Sequence, residues 1–322
     1  RIALVLAAVL AFSVSGFPDD TAASIGIGGL VFQHMDHTRM NREDLYISPL
    51  QVRIHFEFVN ESSAPITTIV AFPLPDINQE FLYNAMIGSI EKDPVNFVGF
   101  KTVVNGEPVA LKVEQRAFAG TDGRDVTAEL RRVGVPLNVG IVGFDLIHKL
   151  PKVKLATLKR ERLIAEDGSA DWSVSTKFWW RQTFEPGKTV VINQRYEPIT
   201  GSYFDYTYDP NDDLRADACP SMGTRTALKE LIAALPKCKT CQETAVFHTT
   251  DYVLTTGTNW DGPIGLFHLT LDKLRPKNIL STCWSGGLKQ TSPTTFESTL
   301  WNYTPRKDLK ILVVTAYPIP IP

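Results

Sequence analysis

The sequence predicts a mainly β protein arranged as two β-sandwich-like lobes, and three observations predict it. Apolar and polar residues alternate with a period of two in segment after segment from Leu45 onward. The 21 prolines and 21 glycines supply the turns between those segments. An acidic, turn-rich joint, Asp209-Pro210-Asn211-Asp212-Asp213, divides the series in two. With 322 residues, 43% of them hydrophobic, the chain can bury one large core or two ordinary ones, which excludes a disordered chain. A formal net charge of −2 excludes the general basic field that holds nucleic acid, so no nucleic-acid partner is expected.

Residues 1–16 read as a signal peptide. Arg1 precedes an apolar run from Ile2 to Phe12, followed by the small residues Ser13, Ser15 and Gly16. The run is too short for a bilayer span, which needs roughly twenty apolar residues, and no later segment reaches that length either. Cleavage after Gly16 would leave an N-terminal lobe over residues 17–208 and a C-terminal lobe over 209–322. The expected location is the periplasm or the outside of the cell.

In the first lobe, Val52, Ile54, Phe56 and Phe58 alternate with Arg53, His55 and Glu57, one apolar face against one polar face. The turn Asn60-Glu61-Ser62-Ser63-Ala64-Pro65 leads into a returning strand, Ile66 to Phe72, stopped by Pro73-Leu74-Pro75. Lys101 to Val113 reads as a hairpin because Asn105-Gly106 can take the positive φ a tight turn requires. Thr176 to Phe184 and Thr189 to Tyr196 read as another around Glu185-Pro186-Gly187-Lys188. Between these, residues 125–168 change to helical spacing, with Ala128, Leu130 and Val133, then Leu155, Leu158 and Leu163. Two short helices are expected there, inserted as a cover for a sheet edge rather than a lid over a site. The second lobe opens with an amphipathic helix over 224–235, in which Ala227, Leu228, Leu231, Ile232 and Leu235 share a face. Strands follow at His248–Thr255, Ile264–Asp272, Ile279–Trp284, Thr294–Leu300 and Leu309–Thr315. The tail from Tyr317 carries three prolines that cannot donate to a ladder, so an extended arm is expected.

An even count of four cysteines suits an exported chain. Cys238 and Cys241 have the spacing of a redox motif, but they follow a helix and Pro236 rather than opening a helix after a strand. A structural disulfide is expected of them, which leaves Cys219 for Cys283 among the three pairings that four cysteines allow.

Several clusters are candidate sites. Asp205, Asp209, Asp212 and Asp213 are hard oxygen ligands of the kind calcium takes, although the EF-hand spacing is absent. Phe204, Tyr206 and Tyr208 line one face of an aromatic strand, and with Trp180 they could stack on a sugar ring. His34, Asp36 and His37 bring metal-ligand types together, but in a strand His37 would point away from the other two. Lys152, Lys154, Lys159, Arg160 and Arg162 form a basic cluster that reads as the solvated face of the insertion. No Gly-x-Ser-x-Gly or His-Glu-x-x-His pattern occurs, so no catalytic residue is assigned.

Ordered motifs carry a family resemblance. Thr21-Ala22-Ala23 with Gly28-Gly29-Leu30, Glu43-Asp44-Leu45-Tyr46-Ile47-Ser48, Val70-Ala71-Phe72-Pro73-Leu74-Pro75-Asp76, Phe184-Glu185-Pro186-Gly187, Tyr196-Glu197-Pro198 and Asn259-Trp260-Asp261-Gly262-Pro263-Ile264-Gly265 stand in sequence. Together they resemble an exported bacterial family known as domain of unknown function 4424. The resemblance covers nearly the whole mature chain and implies no activity. The first half is also similar to the vault/inter-alpha-trypsin (VIT) domain, a β-sandwich interaction module, in its strand ending at Asn60, its Pro65-Ile66 turn and its Phe72-Pro73-Leu74-Pro75 strand end. The function expected is therefore a non-catalytic binding or interaction module of the cell envelope, with an envelope protein or a glycan as partner and no cofactor, calcium aside. The alternative is an envelope hydrolase whose carboxylates converge only in the fold.

Overall fold

Period-two segments dominate the chain, and strands dominate the computed structural model, which describes residues 21–26, 29–79, 93–143, 145–205, 218–234 and 241–320. In chain order β1 (Thr21–Gly26) and β2 (Gly29–Phe32) precede β3 (Thr38–Ile47), β4 (Val52–Asn60), β5 (Ile66–Pro73) and β6 (Ile77–Asn78). After β7 (Lys101–Val104), β8 (Glu107–Pro108) and β9 (Lys112–Ala119) come α1 (Thr127–Val133), α2 (Val139–Val142), α3 (Asp145–His148) and α4 (Lys152–Arg160). Next are β10 (Trp172–Phe184), β11 (Thr189–Tyr196), β12 (Gly201–Asp205) and α5 (Met222–Ala233). The chain closes with β13 (Cys241–Tyr252), β14 (Ile264–Asp272), β15 (Ile279–Thr282), β16 (Lys289–Gln290), β17 (Thr295–Tyr303) and β18 (Leu309–Pro320).

These strands build three sheets. The largest has the order β16-β17-β14-β3-β4-β11-β7-β8. A second runs β2-β1-β5-β10-β6, with β9 also on β10, and a four-stranded sheet runs β12-β13-β18-β15. The alternation in β4 is realised as expected, with Val52, Ile54, Phe56 and Phe58 at most 2% exposed. They meet Val70, Phe72, Phe178 and Phe184 of the second sheet and Ile311 and Val313 of the third in one continuous core. Within it Phe72, Phe100 and Phe178 stack in series, at ring separations of 4.8 and 4.6 Å. Each such buried side chain contributes about 1.5–3 kcal/mol relative to its exposed form.

The expected hairpins mostly turn out to be crossovers. β4 pairs with β3 and β11, while β5 pairs with β1 and β10, so the Asn60–Pro65 turn carries the chain from one sheet to another. The Glu185–Lys188 turn does the same between β10 and β11. Asn105-Gly106 does close a hairpin, at φ 51° and 91°, but it pairs only β7 with β8 before the chain leaves at Pro108 for the second sheet, where β9 joins β10. An apolar segment cannot tell which sheet its returning partner belongs to, because both present the same period.

Asn60 holds these crossovers together. It is completely buried, and its Nδ2 donates to the carbonyls of Ala64 and Phe184, each at 2.8 Å. Its Oδ1 accepts from the Ser62 amide at 2.9 Å, and its own carbonyl accepts from the Gly187 amide at 2.8 Å. One side chain therefore ties both crossover turns to the end of β4.

The insertion contains four helical segments rather than two. They pack Val126, Leu130, Val133, Leu158 and Leu163 against Ala117 and Ala119 of β9 and Trp172 and Val174 of β10. Along β10 the residues from Trp172 to Phe184 keep one face inward, so its first half faces the helices and its second half the sandwich core. The helices thus cover a sheet face rather than an edge. Trp180 points into the core, and Trp179, on the opposite face, lies under the Lys112 ammonium at 4.8 Å.

Strands from both sides of residues 209–213 share the largest sheet, because β14 runs parallel to β3. Trp260 plugs into the core against Phe58, with ring centroids 4.4 Å apart. Asp261 accepts from the His37 amide at 2.9 Å and donates its own amide to Thr38. Gly265 passes so close to β3 that a Cβ there would sit 2.6 Å from the Asn41 carbonyl oxygen. The described part of the proline-bearing tail is a strand: β18 pairs with β13 as far as Cys241↔Pro320, while β15 reaches only Val314, so Pro318 and Pro320 lie where β18 is an edge. Helix α5 packs Leu228 on Phe247, Leu312 and Val314. The Cys219–Cys283 disulfide, with Cα atoms 5.0 Å apart, joins the segment before α5 to the end of β15. Closing a loop of 64 residues is worth about 4 kcal/mol in the chain-entropy account.

Removing the Asn60 donors takes that partner from the buried Phe184 carbonyl, while the Ala64 carbonyl keeps the Ser62 hydroxyl at 2.8 Å. Asn60→Ala and Asn60→Asp are each expected to lower stability by about 3 kcal/mol in denaturant unfolding, and a loss below about 1 kcal/mol in both would show that the clamp is dispensable. Burial pushes the His248 imidazole below its ordinary value of 6.5. The neutral form is favoured in the fold, so its contribution is complete above about pH 6.5 and is lost as pH falls towards the folded value. His248→Gln should therefore flatten the fall in Tm between about pH 7 and pH 5 relative to the parent, read by thermal unfolding across that range.

Candidate functional site

The side chains that β3, β4, β11 and β14 turn away from the core form a polar face on the largest sheet, and strand register orders them into rows. One row reads His268, Asp44, His55, Asn193 and Val103, each directly opposite the next. The neighbouring row reads Thr270, Tyr46, Arg53, Arg195 and Lys101. Together they line a groove of about 410 Å³, a volume suited to a small molecule.

Charges and hydrogen bonds fix several of these groups. The Arg42 Nε donates to Asp44 at 2.8 Å, and His268 stands between Asp44, at 4.0 Å, and Glu297, at 3.5 Å. His55 lies 2.9 Å from the Asn193 Oδ1 and 3.2 Å from Glu57. The Tyr46 hydroxyl donates to Asp272 at 2.8 Å, and the Arg53 guanidinium lies over the Tyr46 ring at 4.1 Å. Burial first, and then the Asp272 carboxylate, push the Tyr46 phenol up, so it remains a donor at neutral pH. The groove lining holds one carboxylate, Asp44, and neither serine nor cysteine. Its side chains offer hydrogen-bond donors, acceptors and charges of both signs.

A second polar feature lies on the inner face. The register shift between Met40 and Arg42 turns Glu43 into the core, where it is completely buried and accepts from the Tyr252 hydroxyl at 3.5 Å. Burial and then the Glu43 charge push the Tyr303 phenol up to about 12.

The residues singled out in the sequence lie elsewhere. Trp180 is only 3% exposed, packed in the core with its indole N–H donating to Gln182, so it has no open face for a sugar. Phe204 and Asp205 belong to β12, opposite Val246 and Ala245, while Tyr206, Tyr208, Asp209, Asp212 and Asp213 lie outside the described residues. Cys241 opens β13 and Cys238 lies outside the described residues. His34 and Asp36 are exposed and 3.6 Å apart, and among the described residues no group of three His, Cys, Asp or Glu is placed to hold a metal ion. Lys152, Lys154, Lys159, Arg160 and Arg162 are exposed on and after α4. The groove residues Arg53, His55, Arg195 and His268 had a weak signal only: they occupy polar alternates of otherwise ordinary strands. Their convergence is set by register, which the sequence does not display.

No curated protein sequence matches the chain. Among solved structures, one from Legionella pneumophila described as a "putative nutrient binding protein" aligns over 92% of this chain and 70% of its own, at 16% identity and a TM-score of 0.45. A two-domain M1 zinc metallopeptidase mutant bound to L-tryptophan aligns over 88% of this chain and 44% of its own, at 9% identity and a TM-score of 0.27. The family described as domain of unknown function DUF4424, by contrast, matches residues 18–312, nearly the whole chain, and the chain therefore belongs to that family.

Proposed function

We propose that this chain is a non-catalytic binding module of the cell envelope, exported to the periplasm or secreted, and that its binding site is the groove on the outer face of the largest sheet. The observation that carries the reading is the groove itself. Side chains from five hydrogen-bonded strands converge on it, so their spacing is held by the sheet rather than by loops. Imidazoles and guanidinium groups beside Asp44 suit recognition of a ligand, and the groove lining includes neither serine nor cysteine to serve as a nucleophile. Export is supported by the apolar leader over residues 1–16 and by the Cys219–Cys283 disulfide, a bond that persists in oxidising compartments.

Two outcomes are expected. Small molecules extracted from the cell envelope should raise the Tm of the protein, and Asn193→Trp, which fills the groove from an exposed position, should abolish that rise. Turnover of hydrolase substrates by the purified chain, lost in His268→Ala, would replace the binding reading with an enzymatic one. Separately, chain recovered from the envelope fraction should begin at Phe17 on N-terminal sequencing, whereas a chain retained in the cytosol with its leader intact would overturn the export assignment.

A further inference from the structure

Three cations stand in line across the groove. Register sets Arg53 directly opposite Arg195 across β4 and β11, and Arg195 directly opposite Lys101 across β11 and β7. Like charges in directly opposed positions on one sheet face destabilise it. Exposed arginines and lysines normally relieve such repulsion by pairing with a neighbouring acid. Among the described residues none of these three is in an ion pair, although carboxylates are close by. Asp44 is engaged by Arg42 at 2.8 Å, Asp272 by the Tyr46 hydroxyl at 2.8 Å, and Glu297 stands 3.5 Å from His268. Asp44, Asp272 and Glu297 thus each contact a group outside the row, as does Glu57, 3.2 Å from His55.

The cation at one end of the row, Arg53, is also held in place. Arg53 lies over the Tyr46 ring at 4.1 Å, and Tyr46 is anchored through its hydroxyl to Asp272. A guanidinium fixed in this way has lost little freedom still to be lost on binding, and its planar fork matches the two oxygens of a carboxylate or phosphate. Resting on the binding reading above, we propose that the groove takes a small anionic ligand, its oxyanion seated on Arg53, Arg195 and Lys101 and its remainder extending along Asn193 and His55. A volume of about 410 Å³ matches a small molecule rather than a polymer. The cost of the like-charge row is recovered when the anion arrives.

Calorimetric titration of the full chain with inorganic pyrophosphate and with citrate tests this, at low and at high potassium chloride. Saturable binding that weakens with salt is expected for at least one of the two. Citrate alone would mark a carboxylate ligand and pyrophosphate alone a phosphate ligand. Arg195→Gln and Lys101→Gln should each weaken the binding about tenfold, equivalent to about 1.4 kcal/mol. Without ligand, Arg195→Gln should keep or raise the Tm, because it removes the middle charge of the row; a fall in Tm there and in Lys101→Gln would show that these residues are structural and would count against the proposal. No binding of either anion, or equal binding by the Arg53→Gln/Arg195→Gln/Lys101→Gln variant, would overturn it. Imidazole resonances of His55 and His268, followed with a panel of neutral fragments, separate the two levels. Shifts with neutral fragments but not with anions would leave a binding groove of another specificity, and shifts with neither would remove both readings.

Discussion

A sandwich whose successive strands change sheets has no hairpin hydrogen bonds at its turns, and in this chain the buried side chain of Asn60 supplies what those turns lack. Its amide reaches the carbonyls of Ala64 and Phe184, one from each crossover, and its backbone carbonyl takes the Gly187 amide. A buried carbonyl without a partner is expensive, so the Asn60 bond to Phe184 ties the end of β10 to the end of β4. The core beneath depends on that junction. Phe58 at the end of β4, Phe184 at the end of β10 and Trp260 meet with ring centroids between 4.4 and 6.0 Å apart.

Trp260 links this junction to the second constraint, the docking of β14 along β3. The motif Asn259 to Gly265 turns the chain beside the start of β3, with Asp261 bonded to His37 and Gly265 leaving room for the Asn41 carbonyl. Parallel pairing then sets His268 opposite Asp44 and Thr270 opposite Tyr46. The polar groove is therefore a joint product of strands far apart in the chain. Its cationic side comes from β4, β11 and β7, and its imidazole and acidic side from β3, β4, β14 and β17. A slip of one residue in any of these ladders would reverse which side chains face outward and dissolve both rows.

Much of the local structure was legible. The β4 alternation, the β14 limits, the amphipathic face of α5 and the positive φ at Asn105-Gly106 all follow from short-range period and turn chemistry, and the Cys219–Cys283 bridge follows from elimination among four cysteines. Misreadings arose where one local pattern serves two architectures. Glu185–Lys188 has the composition of a hairpin turn, yet β10 and β11 part there into different sheets. Tyr317 to Pro320 looked unable to pair, yet a strand needs donors only on the side where it has a neighbour. Trp180 looked like an available aromatic ring, and its position opposite Val70 puts it inside.

What the sequence by itself determined is the set of amphipathic strands, their turns, the compartment signals and the family motifs, because each rests on residues a few positions apart. Only the tertiary structure decided which strand lies beside which, and with that the groove. Arg53, Arg195 and Lys101 are ordinary exposed residues of three separate segments. They become one cationic row because backbone hydrogen bonds set β4, β11 and β7 side by side in a single register. Hydrogen bonding between strands is indifferent to side-chain identity and acts across any length of chain, so the sequence carries no local record of the neighbours it selects.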